Sequence, residues 1–341
     1  MNYSVDLLLV LGLPRSGTTW IGKIFDSHPD TLYLHEPDSA YPLTFLENAP
    51  LAKCVSVSPD VVRYLDWVRR ERPMSILSKE PIFPKRYFPR AERFLHRASV
   101  YSAKLMERTS KGASVRALFV PANGESKIVW KSIESVARVV AIVNSIENSK
   151  AIHLVRHPCA VVASVMRGIA SSKFRANPNV DRELQLMDSF LSCPAGKRLD
   201  FDRKDLRSMD AVQRLAWRWA VMNDHALLES EGNDRIGLAK YEDICRNPRS
   251  ELKALFRFAE ISWDSAVDRF VSQSTTIESG RYYGVFKSPT KVSSAWQREL
   301  DARTIANVLS IAERSRTFDA LYSSMSNFRV KSRVAPPMAC S

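Results

Sequence analysis

The residues with the clearest chemical signature lie between positions 12 and 19, in a segment rich in glycine and hydroxyl side chains. Four residues separate Gly12 from Gly17, the glycine spacing of phosphate-binding loops. Arg15 is the cation inside this loop, and Thr18 stands where loops that bind ATP or GTP carry a lysine. A kinase without that lysine would lack its main positive charge on the transferred phosphoryl group. The segment therefore predicts a site for an anion, in the first place a nucleotide phosphate, without an obligatory metal.

A second group of polar residues follows the apolar run 151–155. Arg156 ends this run, Pro158 suits the first turn of a helix, and Ser164 lies within that helix. Arginine offers a planar fork that binds phosphate bidentately, and serine adds a hydroxyl donor. Two anion sites at strand ends, about 140 residues apart, indicate a ligand with phosphates at both ends of a nucleoside.

Residues 14–20, Pro-Arg-Ser-Gly-Thr-Thr-Trp, resemble the 5′-phosphosulfate loop of sulfotransferases that use 3′-phosphoadenosine 5′-phosphosulfate (PAPS). The resemblance implies contacts to the phosphosulfate from five residues, namely Arg15, Ser16, Gly17, Thr18 and Thr19. Trp20 matches the aromatic residue that stacks on adenine in cytosolic members of the family. An ordinary strand-to-helix turn with Trp20 in the core is the alternative interpretation.

Three further segments carry the resemblance. Arg156 and Ser164 keep the eight-residue spacing of the family's 3′-phosphate motif. Tyr241, in the Tyr-Glu-Asp that follows a predicted strand, matches a tyrosine near the adenine, although a core tyrosine explains it equally well. Lys291 and Ser293 lie in a stretch, 291–296, that resembles the late basic loop over the 3′-phosphate, but cytosolic members carry glycine at the position of Ser293.

Candidates for the transfer chemistry end two other predicted strands. Glu36 follows the run 31–34 at the edge where open α/β sheets bind ligands, so it is our candidate general base. Carbohydrate-type members have a glutamate in a similar Glu-Pro context, whereas cytosolic members use a histidine, which makes His35 the second candidate. Lys131 ends the run 126–131, and the resemblance implies that Lys131, with the loop around Arg15, stabilises the departing phosphate oxygen. The structural alternatives are, for Glu36, a glutamate that binds loop amides or an arginine and, for Lys131, an exposed strand-end lysine.

These residues require a framework of alternating strands and helices. Apolar runs predict strands at 7–11, 31–34, 126–131, 151–155 and 235–240. Helical spacing predicts helices from 18 onward and at 59–68, 133–146, 209–229, 252–258, 265–271 and 301–312. We expect an α/β, P-loop NTPase-like three-layer fold with a mainly parallel central sheet flanked by helices. It forms one domain, 1–326, before a basic, disordered tail at 327–341. Segment 168–207 predicts a polar connection with one short helix near 183–191.

Composition narrows the class of partner but does not identify it. The 341 residues carry a net charge of +13, which suits a polyanionic cofactor, an acidic glycan, a membrane surface or nucleic acid. Since no helix-turn-helix, zinc or RNP-like spacing is present, we expect no specific nucleic-acid binding. Basic residues dominate 79–116, as a solvated helical face or as a surface for an acidic or polymeric acceptor.

Membrane and redox signals are weak. No apolar stretch approaches the roughly 20 residues of a membrane span, so peripheral membrane contact is the most that we expect. The five cysteines form no CxxC pair, and reduced thiols in a cytoplasm fit them best.

We therefore predict a cytoplasmic, metal-independent sulfotransferase that moves the sulfuryl group of PAPS to an acceptor hydroxyl on a saccharide or glycolipid. A divergent nucleotide kinase and a non-catalytic nucleotide-binding protein are the alternatives.

Overall fold

A five-stranded sheet forms the centre of the protein. The computed structural model describes residues 5–43, 59–71, 73–77, 79–89, 95, 98–102, 126–171, 180–277, 285–286 and 288–323. The strands are β1 (Leu7–Leu11), β2 (Thr31–His35), β3 (Lys127–Ser132), β4 (Ser149–Val155) and β5 (Ile236–Lys240). Their order in the sheet is β2-β3-β1-β4-β5, and all four neighbouring pairs are parallel. The predicted strands and the parallel sheet are confirmed.

Both faces of the sheet are covered, which explains why β1 reads as an unbroken apolar run. Leu7, Leu9 and Leu11 pack into one hydrophobic core. Leu8 and Val10 pack into a second core on the opposite face. Because successive side chains of a strand point to opposite faces, a strand buried on both sides is apolar at every position. The sheet with its two cores confirms the predicted three layers.

Seventeen α-helices lie within the described residues. The first nine are α1 (Thr18–Asp26), α2 (Pro37–Ala40), α3 (Pro59–Glu71), α4 (Met74–Leu77), α5 (Val139–Asn144), α6 (Pro158–Ala170), α7 (Val180–Leu191), α8 (Pro194–Leu199) and α9 (Arg203–Ser208). The others are α10 (Ala211–Glu229), α11 (Tyr241–Arg246), α12 (Pro248–Phe258), α13 (Ser265–Thr276), α14 (Pro289–Ser294), α15 (Trp296–Glu299), α16 (Ala302–Ala312) and α17 (Arg316–Tyr322). A short 3-10 helix spans Val136–Arg138.

The helices divide between the two faces of the sheet. Helices α1, α12 and α13 contribute to the core around Leu8 and Val10. Helices α5, α6, α10 and α16 contribute to the core around Leu9, where Trp217 and Trp219 are fully buried. Both tryptophans are therefore packing residues of this core.

Three predicted segments differ from the structure. Instead of one helix at 133–146, a 3-10 turn precedes the shorter α5, because the Ser132 hydroxyl accepts hydrogen bonds from the amides of Glu134 and Ser135 and fixes a turn there. Within 180–208, three helices replace the single one that was predicted, and α9 begins with a capping box formed by Asp202 and Asp205. Residues 289–294 form α14 rather than a loop.

Three sequence predictions concern features that the described residues test only in part or not at all. The predicted tail, 327–341, lies outside them. No helix that the structure describes is long and apolar enough to cross a membrane. Across the same residues, no group of three or more histidine, cysteine, aspartate or glutamate side chains could hold a metal ion.

Candidate functional site

A cavity of about 390 Å³ opens at the carboxyl ends of the strands. Its position next to β1 is where the strand order changes direction, since β2 and β3 lie to one side of β1 and β4 and β5 to the other. The described residues that line it are Pro14, Arg15, Gly17, Thr18, Thr19, Trp20, His35, Glu36, Lys79, Lys131, Ile133, Arg156, Ser164, Arg167, Tyr241, Val285, Pro289 and Val292. Five of these side chains are cationic and Glu36 is the one carboxylate, so the cavity suits a polyanion.

The loop between β1 and α1 forms one wall of the cavity. Arg15 and Gly17 both have left-handed backbones, with φ of 75° and 93°. α1 begins at Thr18, so the first amides of a nine-residue helix face this end of the cavity. Ser16, although part of the loop, is buried and does not line the cavity, unlike the other predicted loop residues.

Close packing explains the second glycine of the loop. A Cβ on Gly17 would lie 2.3 Å from Cε2 of Tyr241, and the positive φ of this residue disfavours any side chain. The Tyr241 ring therefore packs directly against the loop. It also lies under the Arg156 guanidinium, whose Cζ is 5.0 Å from the ring centroid.

We predict that Gly17→Ala destabilises the loop. The left-handed backbone costs an L-residue about 1–2 kcal/mol, and the overlap with Tyr241 adds to that cost. A urea titration should show the free energy of unfolding lowered by about 1–3 kcal/mol. Gly232→Ala is a matched control, because Gly232 also has a positive φ, of 79°, but a Cβ there meets nothing within 4 Å. Equal losses in the two variants would show that backbone strain alone matters and that the Tyr241 contact does not.

The two anion motifs of the sequence meet in this cavity. The Arg15 guanidinium Nε donates to the hydroxyl of Ser164 on α6 over 2.9 Å. Arg156 donates from Nη1 to the Arg15 carbonyl (3.0 Å) and from Nη2 to the Val292 carbonyl (2.7 Å). The Nε of Arg156 is buried and has no hydrogen-bond partner. Behind it, Trp219 donates from its indole to the Arg156 carbonyl (2.9 Å) and fixes the end of β4.

The aromatic residues at this end are mostly packed away from solvent. Trp20 is 7% exposed, and its indole donates to the Ser274 hydroxyl of α13 over 3.1 Å. Its ring meets the Tyr241 ring edge to face at 6.1 Å. Both residues line the cavity, but their role toward adenine stays a prediction.

Lys291 and Ser293 are not among the residues that line the cavity. On α14 the described lining residues are Pro289 and Val292. The Ser293 hydroxyl donates to the Thr290 carbonyl within the same helix. Their proposed contact with a 3′-phosphate also stays a prediction.

At the other end of the cavity, Glu36 and Lys131 form an ion pair. His35 pairs in register with Lys131 across β2 and β3, and the Glu36 amide donates to the Lys131 carbonyl over 2.8 Å. The Lys131 side chain is 1% exposed and that of Glu36 is 26% exposed, so the carboxylate is the more accessible partner. Glu36 has a left-handed backbone (φ 49°), which is costly for a residue with a Cβ and occurs at functional sites.

Burial lowers the pKa of both His35 and Lys131. Burial, with the nearby Lys131, Lys79 and Lys23, lowers the pKa of His35 to about 2. The ring is therefore neutral at physiological pH. The Tyr33 hydroxyl lies 2.9 Å from its Nδ1. Burial also lowers the pKa of Lys131, while the ion pair with Glu36 opposes that shift. A ring that resists protonation accepts a hydroxyl proton poorly, which favours Glu36 over His35 as the base.

Asp38 holds the Glu36 and Lys131 segments together. Its buried carboxylate accepts hydrogen bonds from the hydroxyls of Ser132 and Ser135 and from the Trp130 indole. Asp38 comes two residues after Glu36, whereas Trp130 and Ser132 flank Lys131. These bonds therefore tie the turn after β2 to the end of β3. The sequence analysis did not identify this residue.

Two cavity cations were also missed from sequence. Arg167 follows Ser164 by three residues, so both lie on one face of α6, and this spacing could have identified it. Lys79 was noted as one of many basic residues in 79–116, and no pattern in the sequence separated it from the others.

We predict that buried histidines make stability fall in mild acid. The pKa is lowered by burial for every histidine that the structure describes: His28, His35, His153, His157 and His225. For His153 it lies at about 4, so between pH 6.5 and 4 the unfolded chain binds a proton that the folded chain does not. The free energy of unfolding then falls by about 1.4 kcal/mol per pH unit for each such residue as the pH is lowered.

His153→Gln tests this contribution. His153 is buried, with Nε2 2.9 Å from the Asn223 amide oxygen, to which a glutamine amide could also donate. Urea unfolding between pH 6.5 and 5 should show a shallower loss of stability in the variant than in the wild type. Parallel pH profiles would contradict the assignment.

Fold and site together define a class of protein: a parallel α/β protein with an anion-binding loop after its first strand and a second cationic motif on the same cavity. The model of the Sulfotransferase family matches residues 8–265. The chain therefore belongs to the sulfotransferase family, which confirms the prediction from sequence and disfavours a nucleotide kinase.

Individual relatives are distant. Human carbohydrate sulfotransferase 6 is 24% identical over 323 residues, covering 88% of this chain and 77% of that protein. Among solved structures, the sulfotransferase domain of the Synechococcus PCC 7002 olefin synthase is 17% identical, with a TM-score of 0.42. That match covers 94% of this chain and 97% of the olefin synthase domain. Mouse sulfotransferase SULT7A1, complexed with PAP, is 11% identical, with a TM-score of 0.41, and the match covers 94% of this chain and 90% of the mouse chain.

Proposed function

We propose that the protein transfers the sulfuryl group of PAPS to a hydroxyl of a saccharide, either free or as part of a glycolipid. The observation that carries this proposal is the hydrogen bond between Arg15 and Ser164, which joins the two anion motifs in one cavity. The ion pair of Glu36 and Lys131 lies in the same cavity. The site thus combines two places for phosphate with one carboxylate.

The residues present fit such a nucleotide. The buried, unpartnered Nε of Arg156 is a donor that an anion would satisfy. Arg156 and Ser164 would hold the 3′-phosphate, while Arg15, Gly17, Thr18 and Thr19 would hold the phosphosulfate at the start of α1. Ser16 would support the loop from behind, and Tyr241 would fix both Gly17 and Arg156.

Within the transfer end, Glu36 would accept the proton of the acceptor hydroxyl. Lys131 would donate a hydrogen bond to the oxygen on which negative charge develops. When bound, PAPS supplies the sulfuryl group and the phosphate that leaves. The ion pair joins the two side chains in the resting protein, and its exchange for substrate contacts would be the first step that these residues make.

The saccharide acceptor is supported by the match to a carbohydrate sulfotransferase and by the Glu-Pro context of Glu36. A cytoplasmic location is consistent with three free, buried cysteines among the described residues, at 159, 193 and 245, and it stays a prediction.

Calorimetric titration tests the nucleotide assignment. We expect adenosine 3′,5′-bisphosphate to bind without metal and at least tenfold more tightly than AMP, because the 3′-phosphate would add charged hydrogen bonds. ATP with Mg²⁺ is the comparison for a kinase. Tighter binding of ATP–Mg²⁺ would overturn the proposal. Transfer of labelled sulfate from PAPS to a panel of neutral oligosaccharides, uronic-acid oligosaccharides and phenols then identifies the acceptor class, and turnover on phenols alone would reject a saccharide.

A further inference from the structure

Lys79 brings a further cation to the transfer end of the cavity. It follows α4 and lines the cavity together with His35, Glu36 and Lys131. None of the motifs on β1, β2, β3 or β4 contains it. Its position in the cavity therefore depends on how its own segment, 79–89, is attached to the rest of the protein.

A buried cluster of charges attaches this segment. Lys23 of α1 donates to the Lys79 carbonyl over 2.8 Å and forms an ion pair with Asp26. Lys85, at the other end of the segment, pairs with Asp26 over 2.8 Å and donates to the His28 carbonyl over 3.0 Å. Lys23 and Lys85 are both less than 10% exposed. The hydrogen bond from Lys23 is made to the Lys79 backbone, so replacement of the Lys79 side chain leaves its acceptor in place.

The electrostatics of neighbouring groups place the Lys79 charge near the reacting end. Lys79 contributes to lowering the pKa of both His35 and Lys131. Glu36, Lys131 and Lys79 line this end of the cavity, and the buried Asp38 and Lys23 lie close enough to shift the pKa of its residues. Glu36 pairs with Lys131, and Lys79 is a further cation of the same end.

We propose that Lys79 binds the non-bridging oxygens of the sulfuryl group at the transfer end of the cavity. This inference rests on the proposed function. During transfer the bond from sulfur to the bridging phosphate oxygen breaks and a bond from sulfur to the acceptor oxygen forms. The hydroxyl proton goes to Glu36, and Lys79 stays protonated throughout as a hydrogen-bond donor. Its ammonium would thus recognise the sulfuryl group, while Lys131 serves the leaving oxygen.

Two nucleotides that differ only in the sulfuryl group test this assignment. We expect Lys79→Ala to raise the Kd of PAPS by about tenfold, the typical loss for one charged hydrogen bond, and to change the Kd of adenosine 3′,5′-bisphosphate by less than about twofold. Lys79→Arg should restore most of the PAPS affinity. Arg86→Ala is the matched control, because Arg86 is an exposed cation of the same segment that pairs with Asp30 and Asp264 and does not line the cavity.

The outcomes separate this inference from the proposed function. If wild-type protein binds neither nucleotide, the proposed function fails and the assignment of Lys79 fails with it. If it binds both and Lys79→Ala binds PAPS as the wild type does, the assignment of Lys79 is wrong while the proposed function stands. Equal weakening of both nucleotides, or the same loss in Arg86→Ala, would show a general effect of charge or folding and would also overturn it.

Discussion

Glu36→Gln is expected to slow sulfuryl transfer by about 100-fold or more, while the Kd of adenosine 3′,5′-bisphosphate stays within about twofold of the wild-type value. Glutamine keeps the size of the side chain and can still contact Lys131, but it cannot accept the proton of an acceptor hydroxyl. The carboxylate is the accessible member of the ion pair, and Glu36 lines the cavity from a strained, left-handed backbone position. Single-turnover transfer from labelled PAPS, together with calorimetry, measures the two quantities separately.

Two further variants make this test specific. Glu134→Gln removes an exposed carboxylate near the same strand end, outside the cavity lining, and should leave transfer unchanged. His35→Asn should have a much smaller effect than Glu36→Gln, because the His35 ring is held neutral with a pKa of about 2. A larger loss in His35→Asn would transfer the role of base to the histidine. Parallel losses of binding and turnover in Glu36→Gln would mean that Glu36 acts in folding or nucleotide binding.

The strands, and the edge of the sheet to which they bring the functional residues, could be predicted because burial on both faces of a parallel sheet leaves a strong sequence signal. Leu7–Leu11 is apolar at each position, and the residues that follow such runs must meet at one edge of the sheet. Glu36, Lys131 and Arg156 each follow or end such a run, so their position at the same edge is predictable from the sequence. The structure brings all three to one cavity.

Side-chain direction and long-range attachment could not be predicted in the same way. The spacing of Arg156 and Ser164 indicates one motif, yet Ser164 accepts its hydrogen bond from Arg15, 149 residues away in sequence. Lys79 reaches the cavity because Lys23, 56 residues earlier, holds its carbonyl. Asp38 connects β2 and β3 because β3 is inserted between β1 and β2, an order that follows from tertiary packing and not from local periodicity.

The other large expected effect is on nucleotide binding. Arg156→Ala should weaken the binding of adenosine 3′,5′-bisphosphate by about 2–5 kcal/mol, which raises its Kd roughly 30-fold or more. Arg156 is 5% exposed, so its charge faces the ligand with little screening by water. Its guanidinium also links the Arg15 carbonyl to that of Val292, and its loss would loosen the phosphate loop from α14. AMP, which lacks the 3′-phosphate, should lose much less affinity.

Arg167→Ala and Arg156→Lys complete this experiment. Arg167 also lines the cavity, but its side chain is 42% exposed and pairs with Glu299, so its removal should cost far less affinity. Arg156→Lys keeps the positive charge and loses the planar fork, and it should recover only part of the binding. If Arg156→Lys binds as the wild type does, charge alone suffices. If AMP and the bisphosphate weaken equally in Arg156→Ala, then Arg156 stabilises the loop and does not recognise the 3′-phosphate.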